Sequence, residues 1–214
     1  PLRKHLSELN LTVLRKKKTV EVNKNEEKYW DKRYQDSNTG WDIGYANPAL
    51  VSFVKQNFPK ETKILIPGAG SAYELADLYN EGYQQVYALD FSKTAKNSFH
   101  QENPSIPIEN YLCMDFFELN RSFDLVLEQT FFCALPPSFR LRYRDHMKSI
   151  IKKGGVLAGL MFDMVKEDGP PFGGNRTEYE ALFGEDFNID ILEKTDKSIE
   201  PRLGKEFFVK FIRK

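Results

Sequence analysis

The fold of this chain is decided by the stretch Ile64-Leu65-Ile66-Pro67-Gly68-Ala69-Gly70-Ser71. Its apolar first half is typical of a buried β-strand, and the Gly-x-Gly turn leads into a helical stretch over residues 72–79. A second apolar run, residues 85–89, ends on Asp90, about 20 residues past the glycines, the spacing at which a carboxylate binds a ribose diol. Because glycines permit close backbone approach and a helix N-terminus offers free N–H donors, the pattern predicts a site for a nucleoside-containing cofactor.

The turn by itself leaves the identity of that cofactor open. A dinucleotide-binding turn carries a third glycine, in the pattern Gly-x-Gly-x-x-Gly, and Tyr73 occupies that position here. An NAD-dependent oxidoreductase therefore fits less well, and no Tyr–Lys or His catalytic pair supports it. A non-catalytic nucleoside-binding module is a third interpretation, and an ordinary β-to-α turn is compatible with Gly-x-Gly alone.

Composition favours one globular domain and argues against a nucleic-acid partner. The 214 residues can bury a sizeable core, and Lys+Arg and Asp+Glu each number 31, so the formal net charge is zero. The basic run at residues 15–18 is short and is expected to be a solvated face or arm. No apolar stretch reaches membrane-spanning length and no signal-peptide pattern opens the chain, so we expect no membrane partner. We also expect a monomer.

The cysteines leave a disulfide or a nucleophilic role possible, although no His–Cys pairing supports a nucleophile, and the histidines suggest no metal site. Cys113 and Cys133 lie at the ends of apolar runs and are expected to be free thiols in a reducing, cytoplasmic compartment. His5, His100 and His146 share no metal-ligand spacing. We therefore predict that no metal takes part.

Apolar runs and helical stretches alternate along most of the chain, which predicts an α/β fold with a doubly wound, mostly parallel sheet of seven strands and an antiparallel last strand. Gly154-Gly155 is expected to turn the chain into the fifth strand. Residues 1–58 are expected to form an N-terminal arm and lid helices, and residues 59–214 the core. Strands are predicted at residues 63–67, 85–89, 110–114, 123–128, 156–162, 187–192 and 207–212. Helices are predicted at residues 26–34, 48–58, 71–80, 92–100, 138–151 and 177–183.

Three acidic residues lie at the carboxyl ends of predicted strands, where such sheets bind ligands. Asp90 suits a ribose, and Glu128 precedes an aromatic pair. Asp115, between Met114 and Phe116, suits an adenine amino group, but the same residue is equally suited to cap a helix.

Together these residues resemble the thiopurine methyltransferase superfamily of S-adenosylmethionine-dependent enzymes, in particular its plant-type thiol and halide/thiocyanate branch. The resemblance covers the chain from about residue 27 to its C-terminus. It implies a Rossmann-like class I methyltransferase with an N-terminal helical lid, S-adenosylmethionine as cofactor and S-adenosylhomocysteine as product. The motifs that carry it are Trp30 with Tyr34, Gly40-Trp41-Asp42-Ile43-Gly44, Ile66-Pro67-Gly68-Ala69-Gly70, Leu89-Asp90-Phe91-Ser92, Phe131-Phe132-Cys133-Ala134-Leu135, Gly169-Pro170-Pro171-Phe172 and Arg202-Leu203-Gly204-Lys205-Glu206.

The resemblance also implies which residues form the site. Phe162, Arg202 and Glu128 are expected to position the acceptor, with no strong general base. The expected substrate pocket comprises Phe131, Phe132, Phe162, Pro171, Phe172 and Arg202. The expected cofactor contacts are Trp30, Tyr34, Trp41, Gly44, Pro67, Gly68, Gly70, Asp90, Phe91, Ser92, Met114, Asp115, Phe116, Glu128 and Phe131.

Two departures from the family pattern bear on the acceptor. Gln129 stands where the thiopurine branch has an arginine, and Phe162 stands where the halide/thiocyanate branch has a tyrosine. We therefore expect a small soft nucleophile, a thiol or hydrosulfide, because a thiolate needs no strong base to react.

Overall fold

The computed structural model describes residues 27–214, so the basic run at residues 15–18 lies outside the described residues. A seven-stranded sheet has the order β3-β2-β1-β4-β5-β7-β6, in which β7 alone runs antiparallel to its neighbours. This confirms the predicted fold class and antiparallel last strand. The strands are β1 (Ile64–Pro67), β2 (Val86–Asp90), β3 (Tyr111–Cys113), β4 (Phe123–Gln129), β5 (Ile151–Phe162), β6 (Phe187–Lys194) and β7 (Glu206–Arg213).

Helices cover both faces of this sheet. On one face α2, α3 and α4 pack Val54, Leu75 and Phe99 against Ile64 and other alternate residues of the strands. On the other face α5 and α6 bury an aromatic-rich cluster that includes Leu65 of β1, so successive residues of a strand serve opposite cores. The helices are α1 (residues 27–35), α2 (Pro48–Asn57), α3 (Tyr73–Asn80), α4 (Lys93–Glu102), α5 (Arg140–Ile150) and α6 (Arg176–Phe183). No helix within residues 27–214 has the length and apolar character needed to cross a membrane.

Local capping chemistry sets several helix ends where the sequence predicts them. The Asn47 side chain accepts a hydrogen bond from Ala49 N, with Pro48 in the first turn of α2, and the Ser92 hydroxyl accepts one from Ala95 N at the start of α4. Helix α3 begins two residues later than predicted. Ala72 has a φ of 52° and belongs to the preceding loop rather than to the helix.

The start of β5 was predicted wrongly. Strand β5 begins at Ile151, directly after α5, and Gly154-Gly155 lie within it instead of forming a turn before it. The pairing shifts between Phe123↔Ile151 and Leu125↔Val156, which is a bulge. Gly154 has a φ of 74°, and a Cβ on Gly155 would lie 2.9 Å from Asp124 O, so the irregular segment requires both glycines.

The N-terminal segment of the described chain lies across the carboxyl ends of the strands. We call residues 27–44 the lid segment; they comprise α1 and the loop after it. Asp31 Oδ1 accepts hydrogen bonds from Ser92 Oγ at 2.7 Å and Thr94 N at 3.0 Å, which attaches α1 to the first turn of α4. The loop is attached by Arg202 Nη2, which donates to Trp41 O at 2.9 Å. These contacts produce a covered space between lid and sheet.

Candidate cofactor and acceptor site

A cavity of about 330 Å³ lies beneath the lid segment, at the carboxyl ends of β1, β2 and β4. Here the order of the strands reverses, since β1 lies between β2 and β4, and ligands of such sheets bind at this point. A smaller cavity of about 60 Å³ adjoins it and shares Tyr34, Trp41, Gly68 and Thr130 with it. The volume is that of a small-molecule site.

The loop after β1 can be built only with glycine at two positions. Gly68 and Gly70 have φ values of 60° and 51°. A Cβ on Gly68 would lie 2.4 Å from the Phe131 ring, and one on Gly70 would lie 2.0 Å from Tyr34 Oη. Tyr111 Oη, which donates to Gly70 O at 2.6 Å, fixes the loop from below. The lid and the β4 wall therefore approach the loop closely.

Asp90 ends β2 and lines the cavity. Its Oδ2 accepts from Gly70 N at 3.1 Å and its Oδ1 from Ser92 N at 2.9 Å, which fixes the orientation of the carboxylate. Burial raises the pKa of Asp90, whereas the backbone N–H groups favour its ionised form. Each oxygen retains acceptor capacity, as two ribose hydroxyls require.

Asp115 fulfils the capping role that the sequence left open and also lines the cavity. Its Oδ1 accepts from Phe117 N at 2.9 Å, at the start of the short 3₁₀ helix Phe116–Glu118. Phe116 and Phe117 line the same part of the cavity, and Phe116 lies edge to face against Phe131 at 5.0 Å. A planar apolar ring with a polar edge is the group that such a slot accommodates.

Three aromatic residues of the lid segment cluster at the cavity. Trp41 packs edge to face against Trp30 at 5.0 Å and against Tyr34 at 5.8 Å, between ring centroids. Trp41 Nε1 donates to Tyr34 Oη at 3.4 Å. Burial raises the pKa of Tyr34, so its hydroxyl stays protonated. Neutral aromatic faces attract a cation without reacting with it.

The turn after β4 forms one wall of the cavity and is fixed by a buried carboxylate. Glu128 is 1% exposed, and its Oε1 accepts from Phe131 N at 2.9 Å and Phe132 N at 2.8 Å. Its Oε2 accepts from Tyr143 Oη at 2.5 Å. Thr130 has a φ of 59°, which is costly for a β-branched residue and is maintained by these contacts. Glu128 therefore supports the wall from behind and is absent from the cavity lining. Its expected contact with ligand stays a prediction.

The far end of the cavity is apolar except for one guanidinium group. Leu135, Phe162 and Pro171 contribute apolar surface there. The Arg202 side chain is 10% exposed; its Nη1 lies 3.9 Å from Glu206 Oε1 and has no hydrogen-bond partner among residues 27–214. Such a buried donor is costly unless a ligand or water meets it.

Cys133 also lines this end of the cavity. Its Sγ donates to Thr130 O at 3.2 Å, and burial raises the pKa of the thiol. The thiol therefore stays protonated, which argues against the nucleophilic role that the sequence left open. Both cysteines are free, Cys133 buried and Cys113 partly exposed.

Most of the predicted site residues lie together, and several do not line the main cavity. Phe132 packs into the core against Tyr143 and Tyr179, and Phe172 lies against Gly169. The predicted residues that line the cavity are Trp30, Tyr34, Trp41, Gly68, Asp90, Phe91, Asp115, Phe116, Phe131, Phe162, Pro171 and Arg202. Those absent from its lining are Gly44, Pro67, Gly70, Ser92, Met114, Glu128, Phe132 and Phe172.

The sequence analysis missed other lining residues. Phe117 directly follows the predicted Phe116, and Leu135 ends a motif from which only Phe131 and Phe132 were taken as site residues. Including the next residue in the first case and the whole motif in the second would have found them. Arg33 carried no signal of its own, because a charged residue on an exposed helix usually faces solvent. The missed lining residues are Arg33, Gly40, Leu89, Phe117, Thr130, Cys133, Ala134, Leu135 and Pro170.

Comparison with known sequences identifies the family. The model of the thiopurine S-methyltransferase family matches residues 25–211. The chain belongs to this family. It is 31% identical over 184 residues to a probable thiol methyltransferase 2 of Arabidopsis thaliana, covering 83% of this chain and 81% of that protein. It is 31% identical over 188 residues to thiocyanate methyltransferase 1 of Brassica oleracea, covering 85% and 83%.

Solved structures agree on the fold of this thiopurine S-methyltransferase family member. A Burkholderia thailandensis 1,6-didemethyltoxoflavin-N1-methyltransferase, solved with bound S-adenosylhomocysteine, matches with a TM-score of 0.70 at 17% identity, over 91% of this chain and 89% of that one. A magnesium protoporphyrin IX methyltransferase from Synechocystis matches with a TM-score of 0.69 at 14% identity, over 89% and 96%. The chain is an S-adenosylmethionine-dependent methyltransferase of class I fold, and the comparisons support neither the oxidoreductase nor the non-catalytic module.

The cavity also fits the cofactor of the thiopurine S-methyltransferase family on structural grounds. The glycine loop admits close approach, Asp90 offers acceptors for a diol, the Phe116–Phe117 slot suits a purine, and the aromatic cluster suits a sulfonium. These four features lie around one cavity, which an adventitious β-to-α turn would not produce.

Proposed function

We propose that this methyltransferase acts on a small sulfur nucleophile, a thiol or hydrosulfide. One observation carries the proposal: the acceptor end of the cavity is apolar and contains a single buried guanidinium, Arg202, whose Nη1 is unpartnered among residues 27–214. A soft anion fits such a place, because the apolar wall removes its water and the unpartnered Nη1 can donate a charge-assisted hydrogen bond to it. The two plant relatives are named as thiol and thiocyanate methyltransferases, and both names specify a small sulfur acceptor. This supports the proposal.

In this proposal the cofactor is held by residues from three parts of the chain. The Asp90 carboxylate accepts the ribose hydroxyls, and Phe116 and Asp115 enclose the adenine. Trp30, Tyr34 and Trp41 face the sulfonium. The expected contacts of Gly44, Pro67, Gly70, Ser92 and Met114 remain predictions, and these residues shape the loops around the cavity rather than lining it.

Catalysis in this proposal needs alignment and exclusion of water. When bound, S-adenosylmethionine supplies an electrophilic methyl group on a positively charged sulfur. Arg202 attracts and orients the anionic acceptor, Phe131 and Phe162 limit its approach, and the lid segment excludes water. Histidine is absent from the described lining, and Glu128 is engaged by three donors. The acceptor therefore has to arrive ionised or lose its proton to solvent before the lid closes.

Two side chains restrict the range of acceptors further. Phe162 lines the cavity without a hydroxyl, which disfavours halide and thiocyanate because a positioned donor near the nucleophile is missing. Gln129 lines only the smaller cavity and carries no positive charge, which disfavours large thiopurines. Thiols and hydrosulfide require neither group.

The test is a competition among acceptors with methyl-labelled S-adenosylmethionine. Sulfide, aliphatic and aromatic thiols, thiocyanate, iodide, 6-mercaptopurine, an alcohol and an amine are offered at equal concentration to the full chain. The proposal expects thiols or sulfide to have the largest kcat/KM. If iodide or an amine outpaces every sulfur acceptor, the acceptor assignment is wrong, while the methyltransferase activity stands.

The remaining expectations belong to the same proposal. A monomer is compatible with one cavity formed by one chain, and sedimentation at several concentrations tests it. Two free cysteines support a reducing, cytoplasmic location. A single domain, with residues 59–214 as the core under the N-terminal segment, predicts one cooperative unfolding transition.

A further inference from the structure

Arg33 is a charged lining residue that the proposed function does not use. It lies on α1 in the lid segment and is partly buried against the cavity. Its guanidinium carbon lies 4.8 Å from the centre of the Trp41 ring and 5.8 Å from that of Tyr29. Stacking of this kind fixes the direction of a guanidinium without neutralising its charge.

The hydrogen bonds of Arg33 leave its charge uncompensated. Nε donates to Asn38 O at 2.8 Å and Nη1 to Tyr29 Oη at 3.0 Å, both neutral acceptors. Within residues 27–214 no acidic side chain forms an ion pair with it. Arg202, by contrast, has the Glu206 carboxylate 3.9 Å behind it.

Trp41 links the two arginines of the cavity. Its ring faces Arg33, and its carbonyl oxygen accepts from Arg202 Nη2 at 2.9 Å. Trp41 therefore contacts both guanidinium groups, one on the lid segment and one on the sheet side of the cavity. A ligand that meets both needs two separate sites of negative character.

We infer that Arg33 is a specificity residue and that the preferred acceptor is a thiol that also carries a carboxylate or a comparable anionic group. The inference rests on the proposed function: Arg202 serves the sulfur, and Arg33 binds the second anionic group. Two neutral aromatic neighbours, Tyr29 and Trp41, and hydrogen bonds to neutral acceptors leave the Arg33 guanidinium without a charged partner among the described residues.

The test compares two probes that differ only in charge, 3-mercaptopropionate and 3-mercaptopropionamide, in Arg33→Gln, Arg33→Lys and the full wild-type chain. The control is Arg121→Gln, an exposed arginine just before β4, at the opposite edge of the sheet, with the same change in net charge. A binding arm measures 3-(methylthio)propanoate and its amide by calorimetry on protein saturated with S-adenosylhomocysteine, which does not depend on turnover.

Arg33→Gln should lower the acid-to-amide ratio of kcat/KM, and of affinity, by about tenfold, the size of one charge-assisted contact. Arg33→Lys should keep most of the preference, and Arg121→Gln all of it. An unchanged ratio in Arg33→Gln, an equal loss in both Arg33 variants, or a matching loss of S-adenosylhomocysteine affinity would overturn the inference. If the wild-type chain methylates neither probe, the binding arm alone decides the role of Arg33, and the proposed function fails only if sulfide and the other thiols of the competition are not methylated either.

Discussion

The buried Glu128 carboxyl makes the stability of this protein depend on pH in a way that one substitution can isolate. Burial raises its pKa from 4.5 to about 7, against the lowering effect of the hydrogen bonds from Tyr143, Phe132 and Phe131. Glu128→Gln preserves the shape of the side chain. The amide oxygen can accept from the two backbone N–H groups, and the amide nitrogen can donate to Tyr143 Oη.

The size and sign of the effect follow from the two pKa values. Each pKa unit is worth about 1.4 kcal/mol, so a rise from 4.5 to about 7 corresponds to about 3 kcal/mol of unfolding free energy. The folded state binds the Glu128 proton more tightly than the unfolded state does. The stability that this gives is present in full below the unfolded-state pKa of 4.5 and is lost as the pH rises through the folded-state pKa of about 7. The free energy of unfolding of Glu128→Gln, measured relative to that of wild type, should therefore increase by about 3 kcal/mol between pH 4.5 and pH 8.

Urea denaturation followed by far-ultraviolet circular dichroism measures this at pH 4.5, 5.5, 6.5, 7.5 and 8.5. The quantity of interest is the difference between variant and wild type, because the other titrating groups then cancel. Glu109→Gln, which removes an exposed carboxylate, is the control for the change in net charge. A difference between Glu128→Gln and wild type that stays constant from pH 4.5 to pH 8.5 would refute the reasoning about Glu128.

Further predictions concern the cofactor, the lid and the acceptor. Asp90→Ala should weaken S-adenosylhomocysteine binding by ~1.5–3 kcal/mol in calorimetry, the usual size for hydrogen bonds to a charged group; binding of NAD instead would contradict the cofactor assignment. Residues 27–44 should become resistant to limited proteolysis when S-adenosylhomocysteine is saturating, and equal digestion rates would remove the closing role of the lid. Gly70→Ala should reduce cofactor affinity at least about tenfold, because its Cβ would lie 2.0 Å from Tyr34 Oη, and adding Tyr34→Phe should restore part of the loss; unchanged affinity in Gly70→Ala would mean that the lid does not close on this loop. Arg202→Gln should lower kcat/KM for a charged thiol more than for a neutral one, and equal losses would assign Arg202 a structural role.

Sequence reasoning succeeded where the deciding interactions are local in the chain. The caps at Asn47 and Ser92 involve backbone groups two or three residues away, so residue type and spacing predict them. The glycine loop and Asp90 follow in the same way, since a turn that needs positive φ selects glycine and the next strand carries its acid to the same edge. Alternation of strands and helices then predicts the sheet.

Long-range packing decided what sequence reasoning missed. Glu128 is held in place behind the cavity wall because Tyr143, 15 residues away, donates a hydrogen bond to its Oε2. The spacing of the two residues in the sequence does not indicate that contact. Phe131 lines the cavity and its neighbour Phe132 packs in the core, a choice made by the turn that Glu128 fixes.

The sequence by itself determined the fold, the cofactor loop and the family, because each is recognised from short motifs whose residues are neighbours in the chain. Only the tertiary structure decided which side chains line the cavity. Arg202 meets Trp41 across 161 residues, and Arg33 lines the cavity because the lid segment is folded over the strand ends. Those orientations depend on where distant elements pack, and residue spacing along the chain carries no information about that.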